Sequence, residues 1–129
     1  MAQVLVADDD ELIRRTLRLT LRDAGHAVIE AANGEAALAT LYASPERLVA
    51  VLDLVMPKLG GVGVLEAVDS DAILARRHAY ILMTAFPQQL PPLAVADMLH
   101  RLGVPVLHKP FDMPLLLGAI NAAAQRIAN

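Results

Sequence analysis

A doubly wound α/β fold, a five-stranded parallel sheet with helices on both faces, is what this sequence predicts. Short apolar runs alternate with longer segments of helical period from one end of the chain to the other. That alternation is the signature of βα units, in which each crossover helix covers a parallel sheet. Composition agrees: 56% of residues are hydrophobic but only 3% are aromatic, so the core must be aliphatic. Strands buried on both faces read as such continuous aliphatic runs. With 129 residues the chain has room for one domain, spanning 1–129, with enough core to need no staples.

The elements follow in order. Residues 4–7 form a first strand that ends at three aspartates. Residues 11–24 carry Leu12, Ile13, Leu17 and Leu21 at helical spacing, with Gly25 placed to terminate the helix. Residues 27–29 form a second strand, and Asn33 can cap a helix over 34–43. Ser44-Pro45 breaks the chain, and residues 48–54 form a third strand with Asp53 at its C-terminal end. A loop over 56–61 leads into a helix over 62–68. Residues 80–84 are a fourth strand, 86–92 a proline-containing loop, and 93–102 a helix before Gly103. Residues 104–108 make a fifth strand, and Asp112 can cap a last helix reaching residue 127. Pro105 lacks a ladder donor, so the fifth strand should lie at a sheet edge. The resulting (βα)5 pattern fits the flavodoxin-like strand order 2-1-3-4-5.

Several classes are disfavoured early. There is no cysteine, hence no disulfide and no thiolate metal site. The formal charge of −3 offers no clustered basic footprint for nucleic acid. Arg14, Arg15, Arg18 and Arg22 share one predicted helix and read as its solvated face. No stretch reaches the roughly 18 apolar residues of a membrane span, and no signal segment precedes Asp8, so a cytoplasmic location is expected. His26, His78, His100 and His108 lack metal-ligand spacing and read as surface or structural.

The chemistry concentrates at the strand ends. In an open parallel sheet, ligands bind beyond the C-terminal ends of the strands where strand order reverses. There the first strand delivers Asp8, Asp9 and Asp10, the third Asp53, the fourth Thr84 and the fifth Lys109. Clustered carboxylates repel one another, and a hard cation such as Mg²⁺, which favours carboxylates and water, relieves that repulsion. Asp53 would be a carboxylate nucleophile, with Lys109 and Thr84 as cationic and hydroxyl donors to a phosphoryl group. Each residue alone has an ordinary reading. The three aspartates could cap the next helix, Asp53 could be a turn acid, Thr84 structural and Lys109 a surface lysine. It is their conjunction at four strand ends that points to a site.

These residues carry a resemblance. The chain resembles response-regulator receiver domains from end to end. The likeness rests on Asp8-Asp9, on Asp53-Leu54-Val55-Met56-Pro57, on Thr84-Ala85, on Lys109-Pro110-Phe111, and on Gly61 eight residues beyond Asp53. The resemblance implies that Asp53 accepts phosphate from a histidine kinase or a phosphotransfer protein. It implies that Mg²⁺ is bound by Asp8, Asp9, Asp53 and the backbone carbonyl of Val55. Thr84 would report the phosphoryl group, and the Lys109-Pro110 bond would be cis. A downstream protein or a second copy would meet the face made by the helix at 93–102, the strand at 104–108 and the last helix.

Two departures from the family pattern stand out. Val106 takes the place usually held by an aromatic residue or histidine, with His108 two residues on along the same strand face; Val106 itself reads as an edge-strand core residue. The interval from Thr84 to Lys109 is also longer than the family norm, the excess falling in 86–92, so the helix after it could start late. Val55 and Phe86 are apolar where the family flanks the attacking water, which implies slow loss of phosphate. Met56 reads as packing.

Three other readings compete. An unphosphorylated pseudo-receiver would be a protein-interaction module. A haloacid-dehalogenase-type aspartyl-phosphate phosphatase needs a second acid two residues after the nucleophile, where this chain has Val55. A flavodoxin-like nucleotide or flavin carrier needs a phosphate-cradling loop after the first strand, where this chain places three aspartates.

Overall fold

The computed structural model describes residues 2–85, 92–109 and 112–128. Its elements are β1 (Gln3–Ala7), α1 (Glu11–Asp23), β2 (Ala27–Ala31), α2 (Gly34–Ala43), β3 (Val49–Asp53), α3 (Gly61–Asp69), α4 (Ala72–Arg77), β4 (Ala79–Thr84), α5 (Leu93–Leu102), β5 (Val106–His108) and α6 (Met113–Ile127). The five strands pair in parallel in the expected order β2-β1-β3-β4-β5.

Side-chain alternation along the strands builds two aliphatic layers. Leu5, Ala7, Ala50, Leu52, Tyr80 and Leu82 face one side of the sheet, where α2, α3, α4 and α5 cover them. Val4, Val6, Val49, Val51, Ile81 and Met83 face the other, under α1 and α6. β3 is buried along its whole length, so Asp53 at its end is carried almost out of water at 7% exposure. Met56 packs into the first layer as expected.

The helix boundaries follow local chemistry. Asp10 caps α1 by accepting from the Leu12 and Ile13 amides at 2.9 and 3.2 Å. Gly25, at φ +95°, ends it in the left-handed region that glycine tolerates. Asn33 and Asp112 cap α2 and α6 as predicted. α5 begins at Leu93 as expected, and residues 86–91, for which a loop was expected, lie outside the described residues.

Three details differ from expectation. The helix α4 was not anticipated: it is six residues long, buries only Leu74, and so offers too short a pattern for periodicity to reveal. Its start is fixed by Asp71, which accepts from the Ile73 and Leu74 amides. β5 begins at Val106 rather than 104, because Pro105 has no N–H to donate, although its carbonyl accepts from Leu82 at 3.0 Å. Val106 does not pack in the core. Leu107 points inward, leaving Val106 at 38% exposure and His108 also exposed.

The arginine face of α1 is only partly solvated. Arg14 and Arg18 both turn to Glu30 on β2, at 3.4 and 3.0 Å, while Arg15 pairs along the helix with Glu11. The histidines divide as structural and exposed: His26 and His78 are buried, His100 and His108 exposed. His26 Nδ1 accepts the Ala2 amide at 3.0 Å. His78 Nδ1 accepts the Leu48 amide at 2.9 Å, so its Nε2 carries the proton and donates to the Leu41 carbonyl, also at 2.9 Å.

Candidate functional site

The sheet topology brings the predicted acids together. β1 and β3 are neighbours, with Ala7 opposite Leu52, so the residues just past them share one rim. Asp8, Asp9 and Asp53 each place a carboxylate oxygen within 4.8 Å of the others, a spacing one cation can bridge. Asp8 is fully buried, Asp9 exposed and Asp53 nearly buried. The third aspartate is not part of the cluster, because Asp10 is spent on capping α1.

Lys109 enters from the end of β5. Its Nζ donates to Asp8 Oδ2 at 2.9 Å and lies 3.3 Å from Asp53 Oδ1. Asp8 Oδ1 in turn accepts the Asp10 amide at 2.9 Å. One ammonium therefore bridges two of the three clustered carboxylates. Burial, together with the charge of Asp8, pushes the Asp53 carboxyl above its usual range, and Lys109 offsets this only partly. Burial works against the charged Lys109, but the hydrogen bond to Asp8 and the charges of Asp53 and Asp8 outweigh it and hold the ammonium above its ordinary value. Three carboxylates within 4.8 Å of one another with one ammonium beside two of them are a donor set that suits a hard divalent cation.

A cavity of about 320 Å³ opens over this cluster, lined among others by Asp8, Asp9, Asp53, Val55, Ala85 and Lys109. Val55 stands at its mouth at 59% exposure. Thr84 ends β4, is buried, and offers its carbonyl to the Lys109 amide at 2.8 Å. Thr84 does not itself line the cavity, although Ala85 next to it does. Phe86 and the Lys109-Pro110 bond, on which two expectations rest, fall outside the described residues.

The loop after Asp53 shows why glycine stands at 61. A Cβ there would lie 2.6 Å from the Asp53 carbonyl and 2.7 Å from Leu82 Cδ1, closer than side-chain carbons are found. Lys58 in the same loop takes a positive φ of 69°, a conformation rare outside glycine. The backbone behind Asp53 is thus tightly folded against it.

Comparison with known proteins agrees with this geometry. A model of the response regulator receiver domain matches residues 4–121. The chain belongs to the response regulator receiver domain family. Among curated proteins, it is 33% identical over 130 residues to a probable transcriptional regulator, ycf27, of Cyanophora paradoxa, covering 98% of this chain and 50% of that protein. It is 32% identical over 125 residues to response regulator RR06 of Streptococcus pneumoniae, covering 95% and 53%. Among solved structures, a receiver domain from Clostridium thermocellum superposes with a TM-score of 0.81 at 27% identity, covering 98% of this chain and 96% of that one. The chain spans about half the length, or less, of the curated relatives it matches.

As a receiver domain the chain is a module of two-component signalling rather than an enzyme of the ordinary kind. Receiver domains bind Mg²⁺ at an acidic pocket, and the Asp8, Asp9, Asp53 cluster is consistent with that. No helix among the described residues is long and apolar enough to cross a membrane.

One contact behind the cluster escaped the sequence reading. Arg14 Nη1 donates to the Asp8 backbone carbonyl at 2.8 Å, directly behind the cluster. Its only signal in the sequence is a helical position shared with three other arginines.

Proposed function

We propose that residues 1–129 form one receiver unit in which Asp53 accepts a phosphoryl group from a histidine kinase or a histidine phosphotransfer protein. The observation that carries this is the convergence of Asp8, Asp9 and Asp53 on one point, with Lys109 bridging Asp8 and Asp53. An Asp53 carboxylate oxygen attacks the phosphorus of the donor phosphohistidine. A P–O bond forms, the P–N bond breaks, and the leaving imidazole takes up a proton. Asp8, Asp9, Asp53 and the Val55 carbonyl are the ligands proposed for Mg²⁺, which when bound would supply charge neutralisation for phosphoryl transfer. Lys109 pairs with the phosphoryl oxygens once the Asp53 charge is consumed, and Thr84 donates its hydroxyl to one of them.

The adduct replaces the single carboxylate charge of Asp53 with a phosphoryl group carrying about two, a net gain of about one negative charge at one rim of the sheet. It switches binding of a protein target, or of a second copy, through the face of α5, β5 and α6. Val106 is half-exposed there, so the readout in this chain does not use an aromatic swing at that position. Val55, apolar and at the cavity mouth, cannot orient an attacking water, which favours a long-lived adduct. The site is placed in the cytoplasm, where kinases of this type present phosphohistidine.

Intact mass after incubation with acetyl phosphate and Mg²⁺ tests this reading. A gain of one phosphoryl group in the wild type, absent in Asp53→Asn, establishes the acceptor, and its slow decay tests the Val55 argument. No adduct at any Mg²⁺ concentration overturns the reading in favour of an unphosphorylated interaction module.

A further inference from the structure

Behind the acidic cluster, α1 and β2 are joined by charges that the proposed phosphotransfer does not use. Arg14 reaches in two directions: Nη1 donates to the Asp8 carbonyl at 2.8 Å and Nε to Glu30 Oε1 at 3.4 Å. Glu30 Oε2 accepts from Arg18 Nη1 at 3.0 Å, so a single carboxylate is shared by two guanidinium groups. The Arg14 side chain is only 16% exposed and that of Glu30 28%, so this is not a pair loose in solvent. The arrangement is costly, since Arg18 Nε is buried without a partner.

A cation this close to a proposed Mg²⁺ site works against the metal by charge alone. Arg14 is therefore badly placed if its function is electrostatic. It is well placed to fix geometry. A guanidinium is a rigid planar fork, and here its two ends tie the Asp8 backbone to β2. The loop at Asp8 has one further tie to β2, from the Asp8 amide to the Ala31 carbonyl at 3.1 Å. Arg14 supplies the second, on the carbonyl side of the same residue. Together they hold Asp8 while its carboxylate accepts from both Lys109 and the Asp10 amide.

We propose that Arg14, clamped by Glu30, is a positioning residue that holds the Asp8 carboxylate in the geometry for divalent-cation binding. This rests on the Mg²⁺ reading of the acidic cluster. Outer partners that orient metal ligands are commonly worth about 10-fold to 100-fold in affinity. The positioning effect and the charge effect have opposite signs, which makes the proposal testable.

The experiment is a Mg²⁺ titration of the full chain, followed by amide chemical shifts at Asp9, Asp10 and Leu54. It compares wild type with Arg14→Gln and Arg14→Lys, with thermal melts to show that each variant is folded. If Arg14 positions Asp8, both variants bind Mg²⁺ roughly 10-fold more weakly, the lysine no better than the glutamine because it lacks the fork. If Arg14 acts by charge alone, Arg14→Gln binds more tightly and Arg14→Lys matches wild type; either result overturns the proposal. Should the Arg14 variants fail to fold, Glu30→Gln releases the clamp while leaving Arg14 in place, and unchanged Mg²⁺ affinity there overturns it equally. Failure of the wild type itself to bind Mg²⁺ overturns the metal reading as well, and so is distinct from failure of the positioning role alone.

Discussion

Asp53 and His78 stand at opposite ends of the sheet, 7% and 2% exposed, and they meet the cost of burial in opposite ways. His78 is neutral, and both ring nitrogens are matched to backbone groups of Leu48 and Leu41. Asp53 lies among Asp8, Asp9 and one shared ammonium, with more negative charge than the pocket neutralises. A polar group buried for structure is fully satisfied. Asp53 is buried without that full match, as a group proposed to take a cation and a phosphoryl group would be. The same distance from water therefore predicts opposite responses to mutation at the two ends.

The largest effect is expected at His78. His78→Ala strands the Leu48 amide and the Leu41 carbonyl and opens a void, which should cost about 4 kcal/mol at roughly 1–3 kcal/mol per orphaned group. Urea unfolding measures it, and a loss below about 1 kcal/mol would place His78 with the exposed histidines instead. The pH dependence follows from the same bonds. Burial, reinforced by Arg77 and Arg47 against the Leu41 bond, lowers the His78 pKa from 6.5. Protonating Nδ1 would set its new N–H against the Leu48 N–H. Between the native value and 6.5 the unfolded chain binds the extra proton, so stability is full above 6.5 and declines as pH falls through it. His26, lowered chiefly by burial, adds to the same slope. The slope should shrink in His78→Ala.

The two ends also differ in how far they could be read from sequence. Each acid of the candidate site closes an apolar run, and a parallel sheet puts all such closures on one rim, so the strand order β1-β3-β4-β5 was enough to bring Asp8, Asp53 and Lys109 together, with Thr84 beside them but outside the cavity lining. His78 bonds the backbones of Leu48 and Leu41, 30 and 37 residues away, and a backbone partner leaves no mark in a sequence. Arg14 was misread for a related reason. A helical pattern shows which residues share a face, but not that Glu30 on the neighbouring strand would draw two of them inward. Val106 was misread because a three-residue edge strand has too few positions for its inward and outward faces to be told apart.

Mg²⁺ should sharpen the contrast next. At ten times its dissociation constant a ligand specific to the native state adds about 1.4 kcal/mol. The wild type should gain that much in urea unfolding, and Asp53→Asn clearly less. In the absence of divalent cations, Asp53→Asn should itself be more stable than wild type, by up to about 1 kcal/mol, because it removes one charge from a crowded cluster. Destabilisation instead would mean that the Lys109 pair outweighs the repulsion, and that the pocket does not hold surplus charge.

The smallest effect is expected behind the acidic cluster, at Glu30. Its bonds to Arg14 and Arg18 are partly exposed, so Glu30→Gln should cost only about 0.5 kcal/mol in stability, within the range of ion pairs near a surface. It leaves Arg18 with a neutral partner and frees Arg14 from β2, while the Arg14 bond to the Asp8 carbonyl is untouched. A small stability change with a clear loss of Mg²⁺ affinity would mark Glu30 as part of the site. A loss of several kcal/mol with unchanged affinity would put it with His78, as a group buried to hold the fold. The pair of readouts thus decides to which of the two kinds of buried polar group this ion cluster belongs.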